Sequence, residues 1–469
     1  IVTVSPHRLR PDALSGAPLS QPAPIHPTYA DRFRCIGPAC EDTCCQGWTV
    51  PIDQAASEKY QHLPASPLRS LIDASIVQSP APDAANHQNP STFATIRMNT
   101  ANQCPLLTAD RLCSIQAELG EEMLSHTCRT YPRIVHTRGG MHEKALALSC
   151  PEAARLVLLT PDLLTSDFSD ADNPDDPAIP DSSADPLPPN FQAIRNTVLA
   201  LVRDRAYPLW QRLFLLSILC QRLDAIARGE LDSTVLHFLA GFHATISSGA
   251  LRPTMDNMPI DPIAQVDVVL RLAGLMLHKS NVRPRFVECV HAFTTGIGNG
   301  PAATLDSLTA HYNAAHDRYF EPFLKRHPHI LENYLVNTIL RCQFPFGKTG
   351  MSPGAVPDMS REFALLTAQF TLIKGLLIGV AGFRREQFSS VHVVQTVQAA
   401  AKHFEHHPEF LERAHVLLVE SRMDGPRGMS VLLRNAPQRP ISKQPQPNFP
   451  IHPANHSPSK MRSPRPYRP

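Results

Sequence analysis

From Phe191 onward, apolar residues return every three or four positions with polar residues between them, the period of a helix that buries one stripe. AIRNTVLALVRDR (193–205), PLWQRLFLLSILCQRLDAIARG (208–229) and DPIAQVDVVLRLAGLMLHK (261–279) carry it most clearly. Pro208 and Gly229 bracket the second stretch as helix start and stop. The most apolar window, FALLTAQFTLIKGLLIGVA (Phe363–Ala381), holds Lys374 and is flanked by Glu362 and Arg384. A membrane span wants about 20 apolar residues with few or no charges, so a buried helix is expected here and no membrane anchor. Strand-like alternation is scarce and no fixed-period repeat stands out. Residues 191–435 are therefore expected to form an all-α domain within a mainly α chain.

The helical pattern lapses on both sides. TPDLLTSDFSDADNPDDPAIPDSSADPLPPN (160–190) reads as an acidic, proline-interrupted linker and marks a domain boundary. Residues 436–469 hold ten prolines and six basic residues with no acid, and are expected to be a disordered, partly polyproline II tail. Residues 1–28 are proline-rich and lack the apolar core of a signal peptide, as a flexible leader would. The chain begins at Ile1 and not Met, which leaves its native start open. Its 469 residues exceed what a single core of about 250 to 300 residues accommodates, so two domains are expected. With 44 basic and 42 acidic residues, no global field selects nucleic acid or an anionic membrane.

Residues 29–159 form the other domain, and cysteine is its distinguishing feature. Cys35, Cys40, Cys44, Cys45, Cys104, Cys113, Cys128 and Cys150 all precede residue 151; Cys220, Cys289 and Cys342 stand singly in helix-patterned sequence and read as buried thiols. Unpaired thiols and no visible signal peptide point to the cytoplasm, where a dense cysteine group more often binds metal than forms disulfides. The readings to weigh are thiolate metal ligation, a disulfide framework and inert core thiols, and the compartment favours the first. Glycine and proline punctuate the cysteine segments, as suits a loop-rich, metal-stapled domain. Thiolates suit zinc or an iron–sulfur cluster, and four of them complete either site.

Spacing alone does not choose the metal. Cys35-x4-Cys40-x3-Cys44-Cys45 is neither the paired C-x2-C of zinc ribbons nor a ferredoxin run. A radical-enzyme cluster would need a third cysteine at Gly47. Adjacent Cys44 and Cys45 point in different directions in most backbone conformations, so they serve two centres, or one of them is not a ligand. FGKTG (346–350) lacks the earlier glycine of a phosphate loop, a position held by Cys342, and no G-x-G-x-x-G turn is present.

Taken together, CIGPACEDTCCQGW (35–48), NQCPLLTADRLCSIQAELGEEMLSHTCRTYPR (102–133), ALSCPE (147–152) and ENYLVNTILRCQFPFG (332–347) resemble the flagellin lysine-N-methylase family, whose N-terminal part belongs to a wider group of eight-cysteine iron- or zinc-chelating domains. The resemblance covers about residues 29–434. It implies methyl transfer from S-adenosylmethionine to lysine ε-amines of flagellin, with an iron–sulfur cluster, 4Fe-4S in kind, in the cysteine domain and the acceptor entering between the domains. Zinc is the alternative metal, and a non-catalytic metal-binding or redox module with a partner-binding helical domain is the alternative function.

Other residues join the candidates. HTCRTYPR sets His126, Arg129, Tyr131 and Arg133 beside Cys128. Arg129 would offset thiolate charge or bind cofactor, and His126 or Tyr131 would deprotonate the acceptor amine. Asn333 and Asn337 lie four apart on one helix face beside Tyr334, either as a buried hydrogen-bond network or as a donor and acceptor pocket. KHFEHHPEF gives His403 and His407 helical ligand spacing near His406 and Glu405, but Pro408 forces His407 towards extended geometry and argues against a metal site there.

Overall fold

The apolar stripes become helices. The computed structural model describes residues 28–48, 50–78, 93–139, 141–164, 187–277, 283–352, 354–405 and 408–435. The expected leader up to residue 27, residues 165–186 of the expected linker, His406, His407 and the tail from residue 436 lie outside the described residues.

The cysteine-bearing region runs β1 (Pro51–Ile52), α1 (Gln54–Gln61), α2 (Pro67–Ser75), β2 (Ile76–Gln78), β3 (Ala94–Ile96), α3 (Ser114–Leu119), α4 (His126–Thr130), β4 (Arg133–Arg138), β5 (Met141–Leu146) and α5 (Pro151–Leu159). β1, β2 and β3 are too short for alternation to announce them, and six-residue β4 is half-buried along its whole length, with no alternation to read. β3 sits between β1 and β2 in an antiparallel sheet, with Ile52 opposite Ala94 and Ile76 opposite Ile96. β4 and β5 form a hairpin that pairs Arg133 with Leu146 and Arg138 with Met141. Side-chain caps start the short helices: Asp53 accepts from Ala56 N–H, Ser66 from Arg69 N–H ahead of Pro67, and Ser125 from Cys128 N–H.

Residues 191–435 are helical, as expected. They run α6 (Phe191–Arg203), α7 (Leu209–Ala227), α8 (Val235–Ser247), α9 (Arg252–Asp256), α10 (Pro262–Leu277), α11 (Pro284–Gly296), α12 (Leu305–Ala315), α13 (Glu321–Arg326), α14 (His329–Arg341), α15 (Gly347–Gly350), α16 (Met359–Arg384), α17 (Ser390–Phe404), α18 (Pro408–Glu420) and α19 (Pro426–Leu433). Pro208 caps α7, and Gly229 follows its end at φ +71°, where a side chain would be strained. α16 is the central strut. It is long and apolar enough to cross a membrane, yet every residue from Phe363 to Ala381 is buried by other helices, so the apolar window is a core helix. α11 crosses it at glycines: a Cβ on Gly296 would overlap the Gly379 carbonyl. Lys374, buried within α16, donates to Leu432 O (3.0 Å), Leu433 O (2.8 Å) and Asn435 Oδ1 (2.9 Å), closing the end of α19.

Two apolar cores result. The small one gathers Val50, Ile52, Tyr60, Leu68, Ile72, Ile96, Cys104 and Leu106. The large one takes in the helices together with Tyr29, Ala145, Leu146, Leu148, Ala153, Val157 and Leu158, so β5 and α5 are packed as part of the helical body. Polar anchors fasten that join. Arg195 on α6 is 1% exposed and pairs with Glu143 of β5 at 3.0 and 2.6 Å, while also donating to Ile339 O and Phe344 O.

Candidate functional site

The four cysteine segments converge. Backbone bonds stitch the first to the second, with Cys104 N–H on Cys45 O (2.8 Å), Gly47 N–H on Asn102 O (2.9 Å), and a bridge between Gln46 and Gln103. Cys113 caps α3, Cys128 lies in α4, and Cys150 caps α5. Cys44 is the hub, within electrostatic reach of Cys40, Cys104, Cys113, Cys128 and Cys150 and hydrogen-bonded to Cys45. Cys104, Cys113 and Cys128 are also within reach of one another. Cys35, like Cys44, is exposed, and its sulfur accepts Gly37 N–H at 3.4 Å.

Burial governs the thiols. It pushes Cys104 and Cys128 up to about 11 and Cys150 to about 12, with the neighbouring thiols adding to the rise. N–H groups at the start of α5, from Ala153 and Glu152, oppose the rise at Cys150, and those of Gln116 and Ile115 oppose it at Cys113, without cancelling it. Cys44 is raised by its bond to Cys45 first and by burial second. Such thiols ionise near neutral pH only with a cation to stabilise them.

The expected ligands do not form a closed metal site: among the described residues, no three Cys, His, Asp or Glu side chains are arranged to hold one ion. The donor chemistry nevertheless fits a soft, thiolate-bound group. Arg129 supports the fit. Its Nε, on the residue after Cys128, is buried with no hydrogen-bond partner, a donor left over in the segment that carries that thiol.

The helical body grips the cysteine loops through one face of α17. Gln398, Lys402 and Glu405 lie four and three residues apart, on one side of the helix and its cap. Lys402 Nζ donates to Asp42 Oδ1 and Thr43 O, both at 2.7 Å. Gln398 Nε2 donates to Asp42 Oδ2 (2.7 Å) and Ser149 O (2.9 Å), and Glu405 accepts Leu148 N–H (3.3 Å) and Ser149 N–H (3.1 Å). Arg283, just before α11, covers Gln46 O at 3.0 Å and Gly47 O. Burial lowers the pKa of Lys402, and the Asp42 carboxylate works against that. Of these residues only Glu405 stands out in the sequence, as a neighbour of the histidines in KHFEHH. The usable signal was polar Gln398, Lys402 and Glu405 at helical spacing in an apolar helix.

The remaining candidates are scattered. His126 is exposed, and its N–H bonds Asp53 Oδ2 at 2.7 Å. Tyr131 lies near the thiols, 5.9 Å from the Trp48 ring and bonded through its hydroxyl to Ser149 Oγ at 3.1 Å; burial first, then the nearby Cys150, holds its phenol protonated and unsuited as a base. Asn337 is used structurally: it accepts from Tyr29 Oη (2.7 Å) and Leu146 N–H (3.0 Å) and donates to Leu146 O (2.9 Å). Asn333 donates to Val157 O (2.9 Å) and Thr160 O (2.6 Å), and lines a cavity of about 210 Å³ with Arg203, Arg205 and Glu332. That cavity lies at the far end of α5 from Cys150, roughly 13 Å of helix away. Tyr334 is buried, within reach of Arg341 and Glu405. His403 is a core residue, stacked on Phe286 at 5.0 Å with Nε2 on Met276 O at 2.8 Å, which accounts for it without a metal.

A helical body whose polar stripe holds a cluster of thiols, from buried Cys104 and Cys150 to exposed Cys44, defines the class: an α protein with a loop-built thiol centre. Residues 195–432, nearly all of that body, match the family described as the FliB lysine N-methylase C-terminal domain. The chain belongs to this lysine N-methylase family. It is 34% identical over 139 residues, 29% of its length, to the lysine-N-methylase of Salmonella typhimurium and to the flagellar biosynthetic protein FliU of Salmonella muenchen. The match covers 33% of the first relative and 78% of the second, so the chain spans about a third of the length of that curated methylase. No solved structure matches it.

Proposed function

We propose that the protein is a cytoplasmic, S-adenosylmethionine-dependent lysine N-methyltransferase acting on flagellin, with a thiolate-bound iron–sulfur cluster, 4Fe-4S in kind, in its N-terminal region. The single observation that carries the reading is the convergence of the thiols on Cys44, against the family-matched helical body. Cys44, Cys104, Cys113 and Cys128 are the set in mutual reach and would hold the cluster; Cys40 and Cys150 stand within reach of Cys44. The names of the relatives support lysine as acceptor, and FliU supports a flagellar one.

In the transfer, a neutral lysine ε-amine gives its electron pair to the sulfonium methyl carbon, the S–CH3 bond breaks to leave the thioether, and the amine releases a proton to solvent. When bound, the cluster would supply a compact charged group that organises the loops around it. Arg129, through its unused donor, would offset part of that charge. The competing reading is a non-catalytic iron- or zinc-binding module.

One experiment separates them. The chain is purified without oxygen, iron, zinc and acid-labile sulfide are measured per chain, and purified flagellin is incubated with it and methyl-labelled S-adenosylmethionine. Iron and sulfide in equal amounts together with label in flagellin lysines support the enzyme. Zinc without sulfide, and no label, overturns it in favour of the module.

A further inference from the structure

We infer that Lys402 is a positioning residue for the thiol centre, holding the loop that carries Cys44 and Cys45 in place and balancing its charge from within the helical body. The inference rests on the thiolate centre proposed above, and deepens it by assigning part of that centre to α17.

The loop is bracketed. On the N-terminal side of Cys44, Lys402 takes Asp42 Oδ1 and Thr43 O while Gln398 takes the other Asp42 oxygen; on the C-terminal side of Cys45, Arg283 takes Gln46 O and Gly47 O. Gly47 is itself part of the fit: it sits at φ +81°, and a Cβ there would run into the Arg283 guanidinium. The same face of α17 reaches the last cysteine, since Gln398 holds Ser149 O and Glu405 receives the N–H groups of Leu148 and Ser149, immediately before Cys150. Two segments far apart in sequence are thereby set against each other by one helix, and Cys150 comes within reach of Cys40 and Cys44.

Geometry alone would allow neutral docking, but the pairing is charged. The Lys402 side chain is 4% exposed and that of Asp42 20%, and Cys44 feels the Lys402 cation. Removing the cation leaves the Asp42 carboxylate with Gln398 and the more distant Arg283 as its remaining partners, and the lost positive charge disfavours further negative charge on any centre the thiols hold. A purely structural tie would not change the electron affinity of that centre in this way.

The test uses the full chain as wild type, Lys402→Met and Lys402→Arg. Amide hydrogen exchange over residues 40–48 and 147–150 is measured on metal-free protein; iron and sulfide retention and the reduction potential are measured after anaerobic reconstitution. The expected result for Lys402→Met is loop exchange faster by on the order of tenfold or more, partial loss of iron, and a more negative potential for the centre that remains. Lys402→Arg should restore the potential and most of the protection. Wild-type exchange and potential in Lys402→Met would overturn the assignment, as would a potential that shifts equally in Lys402→Arg. If Lys402→Met loses its helical circular dichroism, Asp42→Asn takes its place, with the same loosening of the loop expected but a potential shifted the opposite way; wild-type behaviour in that variant overturns the assignment. A wild-type chain that takes up no metal removes the centre, whereas the metal-free exchange comparison still decides whether Lys402 positions the loop.

Discussion

The region of residues 35–128 and the helical body reach order by different means. Among its described residues the first has helices of nine residues or fewer, strands of two or three, and a small core built around Ile52, Tyr60 and Ile72. Helices this short are marginal on their own, since isolated helices need about 12–15 residues to persist even in favourable sequences. The body is organised round a 26-residue helix that is buried from Phe363 to Ala381. Its order follows from apolar burial, while the cysteine region leans on the body through α17 and Arg283 and, in the proposed function, on a thiolate-bound group. Burial area alone is a poor guide to where such a region gets its stability.

If the proposed thiolate-bound group is present, stripping it gives the largest expected contrast. Structural zinc in small modules contributes about 10–16 kcal/mol, so chelation should expose the amides of residues 42–48 and 102–128 to exchange while those of α16 stay protected; loss of protection in both together would show one cooperative unit. Next comes the join. Arg195→Met leaves Glu143 buried without its cation, and urea unfolding should show a loss of about 3–5 kcal/mol, partly recovered by adding Glu143→Gln. Leu376→Ala, at a fully buried position of α16, should cost about 2–5 kcal/mol in the body and leave metal content per folded chain unchanged.

The smallest effect is a pH slope. Burial lowers Lys374 to about 7 from the ordinary 10.5, with Glu321 opposing the shift. The unfolded chain then holds a proton across that window which the folded chain has released, so the lysine's contribution to stability rises with pH from about 7 towards 10.5. The raised thiols lower stability with pH above about 9 in both proteins, so the lysine is read as a difference: the urea midpoint of wild type relative to Lys374→Met should rise between pH 7 and 10.5.

The three- and four-residue recurrence announced the helices because a helix that buries one stripe must repeat that way, and the window around Lys374 was legible as a core helix because its charge is unsuited to lipid. Eight early cysteines marked the thiol region for a chemical reason, the softness of sulfur as a ligand. Other features left little trace. Strands of two or three residues carry too little alternation to be seen, and Asn333 and Asn337 look alike on a helix face whether they bind a ligand or, as here, tie β5 and α5 to α14.

Local pattern and side-chain chemistry, which operate over a few residues, thus settled the helical class, the core position of α16 and the concentration of thiols in one region. Long-range packing settled the rest: that Cys44 is the hub, that His403 is a core residue, and that Gln398, Lys402 and Glu405 hold two distant cysteine segments together. Such pairings span hundreds of residues, and no spacing rule reports them, because the side chains that meet are chosen by which helices share a core.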